Sequence, residues 1–181
     1  MTSDSQRLDE LRLRIRRIWN ALPVPRLPQW LKTDREFKYF FPHVAGKHWL
    51  DVDLGNNTLA SECWIHWAEP FEAVVYYLGS YLIRCCELIP RNEPVSNSSL
   101  IGVLLQMNYI LKEMPLENTD IAQCMRDVLT YINDAAPTYE WEIAPIIQEA
   151  TQQALATFST RWAAQPDKGE DRKRHGPRKS G

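Results

Sequence analysis

Apolar residues recur at helical intervals along most of this chain. Between residues 6 and 22, Leu8, Leu11, Ile15, Ile18 and Leu22 are spaced 3-4-3-4, and Arg7, Arg12, Arg14, Arg16 and Arg17 fill positions between them. That stripe predicts an amphipathic helix, with Asp4 or Ser5 available to cap it. Pro23, Pro25 and Pro28 then stop it and predict an extended crossing, since each fixes its own φ and restrains its predecessor. The heptad-like run is short, which favours a helix docked in a bundle over a dimeric coiled coil.

Thr33-Asp34-Arg35-Glu36 reads as a capping box, Thr33 and Glu36 serving each other's backbone amides, ahead of a short helix with Phe37, Phe40 and Phe41 that Pro42 closes. Residues 47–67 are ambiguous. Leu50, Val52 and Leu54 alternate with Asp51 and Asp53, and Gly55-Asn56-Asn57 offers a turn, so a β-hairpin competes with a helix over about 58–67. From Pro70 the helical period is clear: Phe71, Val74, Val75, Leu78, Leu82, Cys86 and Ile89 form one stripe. Gly79 inside that stripe costs about 1 kcal/mol against Ala, which points to a close helix contact there.

Residues 90–98 have loop composition. The nearly all-apolar run Leu100 to Met114 predicts the most buried helix. Another helix starts at Asn118 or Thr119, with Ile121, Cys124, Met125, Val128 and Ile132 inward. A last one runs from Pro137, kinked at Pro145, with Ala150, Ala154, Phe158 and Trp162 inward. The expected fold class is therefore all-α, a single compact helical domain of six to seven helices over residues 6–164, with a possible short hairpin at 47–67. Residues 1–5 and the polar tail 165–181 are expected to be flexible or disordered.

Composition agrees with one domain. The chain has 181 residues, 44% hydrophobic and 24% charged, with seven Trp, enough core to need neither disulfide nor metal. No run approaches the roughly 20 apolar residues that span a bilayer, and the first ten residues lack a signal core, so a cytoplasmic location is expected. Cys63, Cys85, Cys86 and Cys124 lack disulfide-framework spacing and read as free, buried thiols. Residues 167–181 hold six Lys/Arg against three acids, which leaves 1–166 with a net charge of −5, a poor match for phosphate backbones.

Phe40-Phe41, Gly46-Lys47-His48-Trp49, Asp51-Val52, Pro70 and Tyr76-Tyr77-Leu78…Tyr81-Leu82 appear in order. This series resembles a bacterial domain family of unknown function with a Gly-Lys-x-Trp box and a Tyr-Tyr-Leu-Pro-Ala-Tyr-Leu helix. Gly79-Ser80 here replaces the family's Pro-Ala, one extra residue separates Pro70 from Tyr76, and His43-Val44-Ala45 separates Phe41 from Gly46. The match covers residues 37–82. It implies a small helical fold, favours a helix over the hairpin within 58–67, and brings no established activity.

Candidate chemistry is sparse. His43, His48, Cys63 and His66 are the best metal set, imidazole and thiolate suiting zinc, but their spacing fits no common zinc pattern. Surface histidines and a core cysteine are the plainer reading, and no cofactor is expected. Cys86 and Cys124 lie on apolar stripes, where a thiol is inert, and no nucleophile-elbow or phosphate-loop motif occurs. Glu62, Glu69 and Glu72 cluster with Trp64 and Trp67, as tuned carboxylates do, although helix capping explains such residues more often.

The expected function is a small protein-interaction module, of the immunity or antitoxin kind, rather than an enzyme. Its partner would be another protein, bound at Trp64, Trp67, Glu69, Tyr77 and Tyr81, where aromatic anchors meet carboxylates. A zinc enzyme using His43, His48, Cys63 and His66 is the alternative. Nucleic acid binding through the basic tail ranks behind both, and no membrane role is expected.

Overall fold

The computed structural model describes residues 4–35, 37–53, 70–88, 97–115, 117–135 and 144–162. Helices α1 (Asp4–Trp19), α2 (Phe41–Val44), α3 (Phe71–Leu88), α4 (Asn97–Glu113), α5 (Thr119–Ala135) and α6 (Ala144–Trp162) are joined by 3₁₀ turns at Gln29–Lys32, Phe37–Tyr39 and Trp49–Asp51. No strand occurs among the described residues, and the class is all-α. The five long helices close a ring: α1 packs on α3, α3 on α4, α4 on α6, α6 on α5, and α5 back on α1.

On α1 the buried residues are Leu8, Leu11, Ile15 and Trp19, with Ile18, and Leu22 just beyond the helix, only partly covered. Its arginines tie it to both neighbours. The Arg12 guanidinium donates to the Cys86 carbonyl of α3 (2.7 Å). Arg7 pairs with Asp134 of α5 (2.9 Å), and Arg14 pairs with Asp127.

The contact expected at Gly79 is present. A Cβ placed there would lie 2.4 Å from Cδ1 and 2.7 Å from Cγ of Trp19, so the indole rests directly on the α3 backbone. Its Nε1–H donates to the carbonyl of Val75, one turn earlier on the same face (2.9 Å). Glycine at 79 leaves room for the ring, and the carbonyl's second lone pair accepts its proton.

One expectation about burial is corrected. The α4 helix is not the most buried element, because Leu105 and Tyr109 on it are exposed. That place belongs to α3, where every residue from Ala73 to Ile83 is buried, since α1, α4 and the Trp49 turn all cover it. Pro145 is the second residue of α6 as far as that helix is described, and the start expected at Pro137, with the kink that depends on it, falls on residues outside the described ones. Residues 137–143 lie outside the described residues. At the other end of this pair, Arg161 of α6 donates to the Leu111 (2.5 Å), Lys112 and Met114 (3.1 Å) carbonyls and caps α4.

From the end of α1 to residue 53 the described chain is short turns around the single-turn helix α2. The Asp34 carboxylate accepts from the Phe37 amide (2.8 Å). The Thr33 hydroxyl instead donates back to the Trp30 carbonyl (3.0 Å), because Thr33 closes the preceding 3₁₀ turn; Glu36 lies outside the described residues. Pro42 falls in the first turn of α2 rather than ending a helix before it. Val44-Ala45-Gly46-Lys47 is a type II turn: Ala45 has φ −59° and ψ 120°, Gly46 has φ 72°, and the Lys47 amide donates to the Val44 carbonyl (3.1 Å). Only glycine takes that third position without strain. Where a hairpin strand was possible, Trp49–Asp51 forms a 3₁₀ turn capped by His48; the rest of that segment, 54–67, lies outside the described residues.

Candidate protein-interaction surface

The residues that carry the family resemblance build the fold. Gly46 makes the turn, and Phe40, Trp49, Val52, Tyr76, Tyr77, Leu78, Tyr81 and Leu82 are all buried. Polar tips on α3 clamp the turn segment to the core. The Tyr77 hydroxyl donates to the Val44 carbonyl (2.7 Å), the Trp49 amide donates to the Tyr76 hydroxyl oxygen (3.3 Å), and the Ser80 hydroxyl donates to the Trp49 carbonyl. From the far side, the Trp49 indole donates to Asn20 (3.2 Å). Burial pushes the Tyr77 phenol well above its ordinary range, and Tyr76 is raised by burial against the lowering effect of the Trp49 amide.

This corrects the expected partner site. Tyr77 is 0% and Tyr81 4% exposed, so neither can anchor a partner. Their rings fall off the main stripe of α3, but a helix covered on every side has no outer face to give them. Trp64, Trp67 and Glu69 lie outside the described residues. So do Cys63 and His66 of the metal set. His48 is occupied locally, its Nδ1 accepting from the Leu50 amide (3.2 Å) and its ring beside Trp49 and Tyr76. His43 is half-buried in α2. Among the described residues no group of three or more His, Cys, Asp or Glu could hold a metal ion.

The described thiols Cys85, Cys86 and Cys124 are free and buried. Burial pushes Cys86 and Cys124 up to about 12, so at neutral pH they are protonated and poor nucleophiles. A cleft of about 460 Å³ lies between α1, the Trp49–Asp53 stretch and α3, lined by Arg16, Asp51, Asp53, Ser80, Arg84 and Glu87 among others. Its Arg84 and Glu87 pair with each other (3.2 Å), and its serine is committed to the Trp49 carbonyl. No histidine or cysteine lines it among the described residues, so it lacks a nucleophile–base pair.

What the turn segment does present is aromatic surface. Trp30 is 52% and Tyr39 61% exposed. Each sits beside a core anchor: Leu31 follows Trp30, and Phe37 and Phe40 flank Tyr39, all buried. The Trp30 carbonyl accepts from the Thr33 and Asp34 amides (3.0 and 3.1 Å) as well as the Thr33 hydroxyl, and Lys38 Nζ lies 4.9 Å from the Tyr39 ring centroid. The backbone that bears both rings is thus fixed before any partner arrives.

Sequence reasoning missed these two rings because aromatic residue types read as core. Charge gave no signal either: residues 20–53 hold five Lys/Arg against Asp34, Glu36, Asp51 and Asp53, a net of +1. No family model matches the chain, and no curated protein or solved structure matches it either.

Proposed function

We propose that the chain is a protein-interaction module whose binding face is the turn segment 20–53, with Trp30 and Tyr39 as its anchors. The observation that carries this reading is the pair of half-exposed rings on a backbone clamped to the core. Large amphipathic rings bury much area on binding, and a backbone already ordered loses little entropy in doing so. Such a face suits a blocking protein of the immunity or antitoxin kind, which acts by occupying a partner's surface and needs no chemistry of its own.

The test uses affinity purification with the wild type and with Trp30→Ala/Tyr39→Ala, followed by titration of the captured protein in purified form. The double variant should bind at least about tenfold more weakly, roughly 1.4 kcal/mol, while melting within a degree or two of wild type. Equal affinity for both forms would place the binding face elsewhere.

A further inference from the structure

The stretch of chain that leads into Trp30 has the form of a recognition motif. Between the end of α1 and the Gln29–Lys32 turn runs Pro23-Val24-Pro25-Arg26-Leu27-Pro28, which is neither helix nor β-strand nor turn. Each proline fixes its own φ and holds its predecessor out of the helical region, so only Arg26 in this run is unrestrained. Pro28 has φ −57° and ψ 138°, which lie in the polyproline II region. No backbone N–H or carbonyl of residues 23–27 is hydrogen-bonded to a described residue, as expected of a conformation whose backbone is left to solvent or to a partner. We infer that residues 23–28 are a polyproline II ligand, bound by a partner protein through an aromatic-lined groove; this rests on the binding-face reading above for the place of the contact.

A polyproline II helix has three residues per turn, so residues three apart share an edge. Leu27 is buried and sets its edge against the core, although Val24, one turn earlier on that edge, is 44% exposed. The other two edges are Pro25–Pro28 and Pro23–Arg26. Pro23 and Arg26 are exposed, and Pro25 and Pro28 are half-buried, so a groove laid over the segment from outside meets these two edges. Both ends are already fixed, the Leu22 amide donating to the Trp19 carbonyl (3.1 Å) and the Leu31 amide to the Pro28 carbonyl (3.1 Å). Little conformational freedom is left to lose on binding. Addition to the edge of a partner's sheet does not fit, because three of the six residues have no N–H to give a ladder. An aromatic groove works on proline rings and carbonyls, and so needs no net charge on a face that is nearly balanced.

The test is a titration of the ¹⁵N-labelled full chain with a panel of purified SH3 and WW domains, whose aromatic grooves take proline-rich segments. Each domain is paired with its own variant in which a groove aromatic is replaced by alanine. A domain of the panel should shift the Val24, Arg26 and Leu27 amides and the Trp30 indole N–H, and its groove variant should not. Pro25→Ala/Pro28→Ala should weaken binding at least about tenfold with an unchanged helical spectrum. Pro23→Ala, at an exposed position, should weaken it several-fold and keeps the test decisive if the double variant unfolds. Shifts that persist with the groove variants, affinity unchanged by the proline substitutions, or no shift with any domain at millimolar concentration would each overturn the proposal. The partner purified in the preceding experiment separates the two readings. Loss of its affinity with Trp30→Ala/Tyr39→Ala but not with Pro25→Ala/Pro28→Ala would leave the binding face standing and overturn the polyproline II inference. Loss with the proline pair alone would support that inference and sink the two rings as anchors.

Discussion

Replacing Gly79 by alanine sets two calculable effects against each other. In an ordinary helix interior the change stabilises by about 1 kcal/mol, because alanine loses less backbone entropy on folding. Here the new methyl carbon would sit 2.4 Å from Trp19 Cδ1, with Cγ at 2.7 Å and Nε1 at 2.9 Å, against a comfortable separation of about 3.5–4.0 Å. Something must move by about an ångström. The obstacle is not the free end of a flexible side chain: Trp19 is fully buried, and its indole is tied to the Val75 carbonyl. Overpacking of this kind costs about 1–3 kcal/mol, and sliding the ring off its acceptor adds about 1–3 kcal/mol for an unsatisfied buried donor. After subtracting the propensity gain, Gly79→Ala should destabilise by about 1–5 kcal/mol. For a chain of this size that lowers the melting temperature by about 2–4 °C per kcal/mol. Urea unfolding followed by circular dichroism at 222 nm and by tryptophan fluorescence would measure it, coincident curves confirming two-state behaviour. A Trp19→Leu background supplies the control: with the indole gone, Gly79→Ala should cost little or turn stabilising, giving a coupling at least as large as the single variant's loss in the double-mutant cycle. A single Gly79→Ala variant that is more stable than wild type would refute the α1–α3 contact.

Tyr77→Phe keeps the ring but removes the donor to the Val44 carbonyl, and should cost about 1 kcal/mol in urea unfolding, whereas Tyr77→Ala, which empties a fully buried site, should cost about 3–5 kcal/mol. A Tyr77→Ala protein with wild-type stability would return that ring to the surface. Alkaline pH should also unfold the chain. Cys86 and Cys124 are raised from an ordinary 9.0 to about 12 in the folded state, so above pH 9 the unfolded form loses their protons first. Stability intact below pH 9 should therefore drain away towards pH 12, by up to about 1.4 kcal/mol per pH unit for each thiol. The Cys86→Ala/Cys124→Ala variant should show a shallower fall in urea midpoint between pH 9 and 11; parallel slopes would mean that the thiols are not the titrating groups.

The sequence alone determined the elements whose burial is one-sided. On α5, Ile121, Cys124, Met125, Val128 and Ile132 were legible as an inner face, and all are buried; on α6, so were Ala150, Ala154, Phe158 and Trp162. A helix with one wet side writes its orientation into a 3.6-residue period. Gly79 was legible too, since a glycine kept in a helix despite its cost marks a backbone that something touches. Tertiary structure decided the rest. Tyr76, Tyr77 and Tyr81 sit off the α3 stripe yet are buried, because α3 is covered all round and a helix of that sort has no period to read. The polar tips of Tyr76 and Tyr77 are tolerable only because an amide and a carbonyl about thirty residues away in the chain come to meet them, and no local pattern records such a meeting. The same holds in reverse for Trp30 and Tyr39. Their residue types say core, but neighbouring Leu31, Phe37 and Phe40 take the inward positions, and in a run of tight turns it is the backbone path, not periodicity, that chooses which ring faces water.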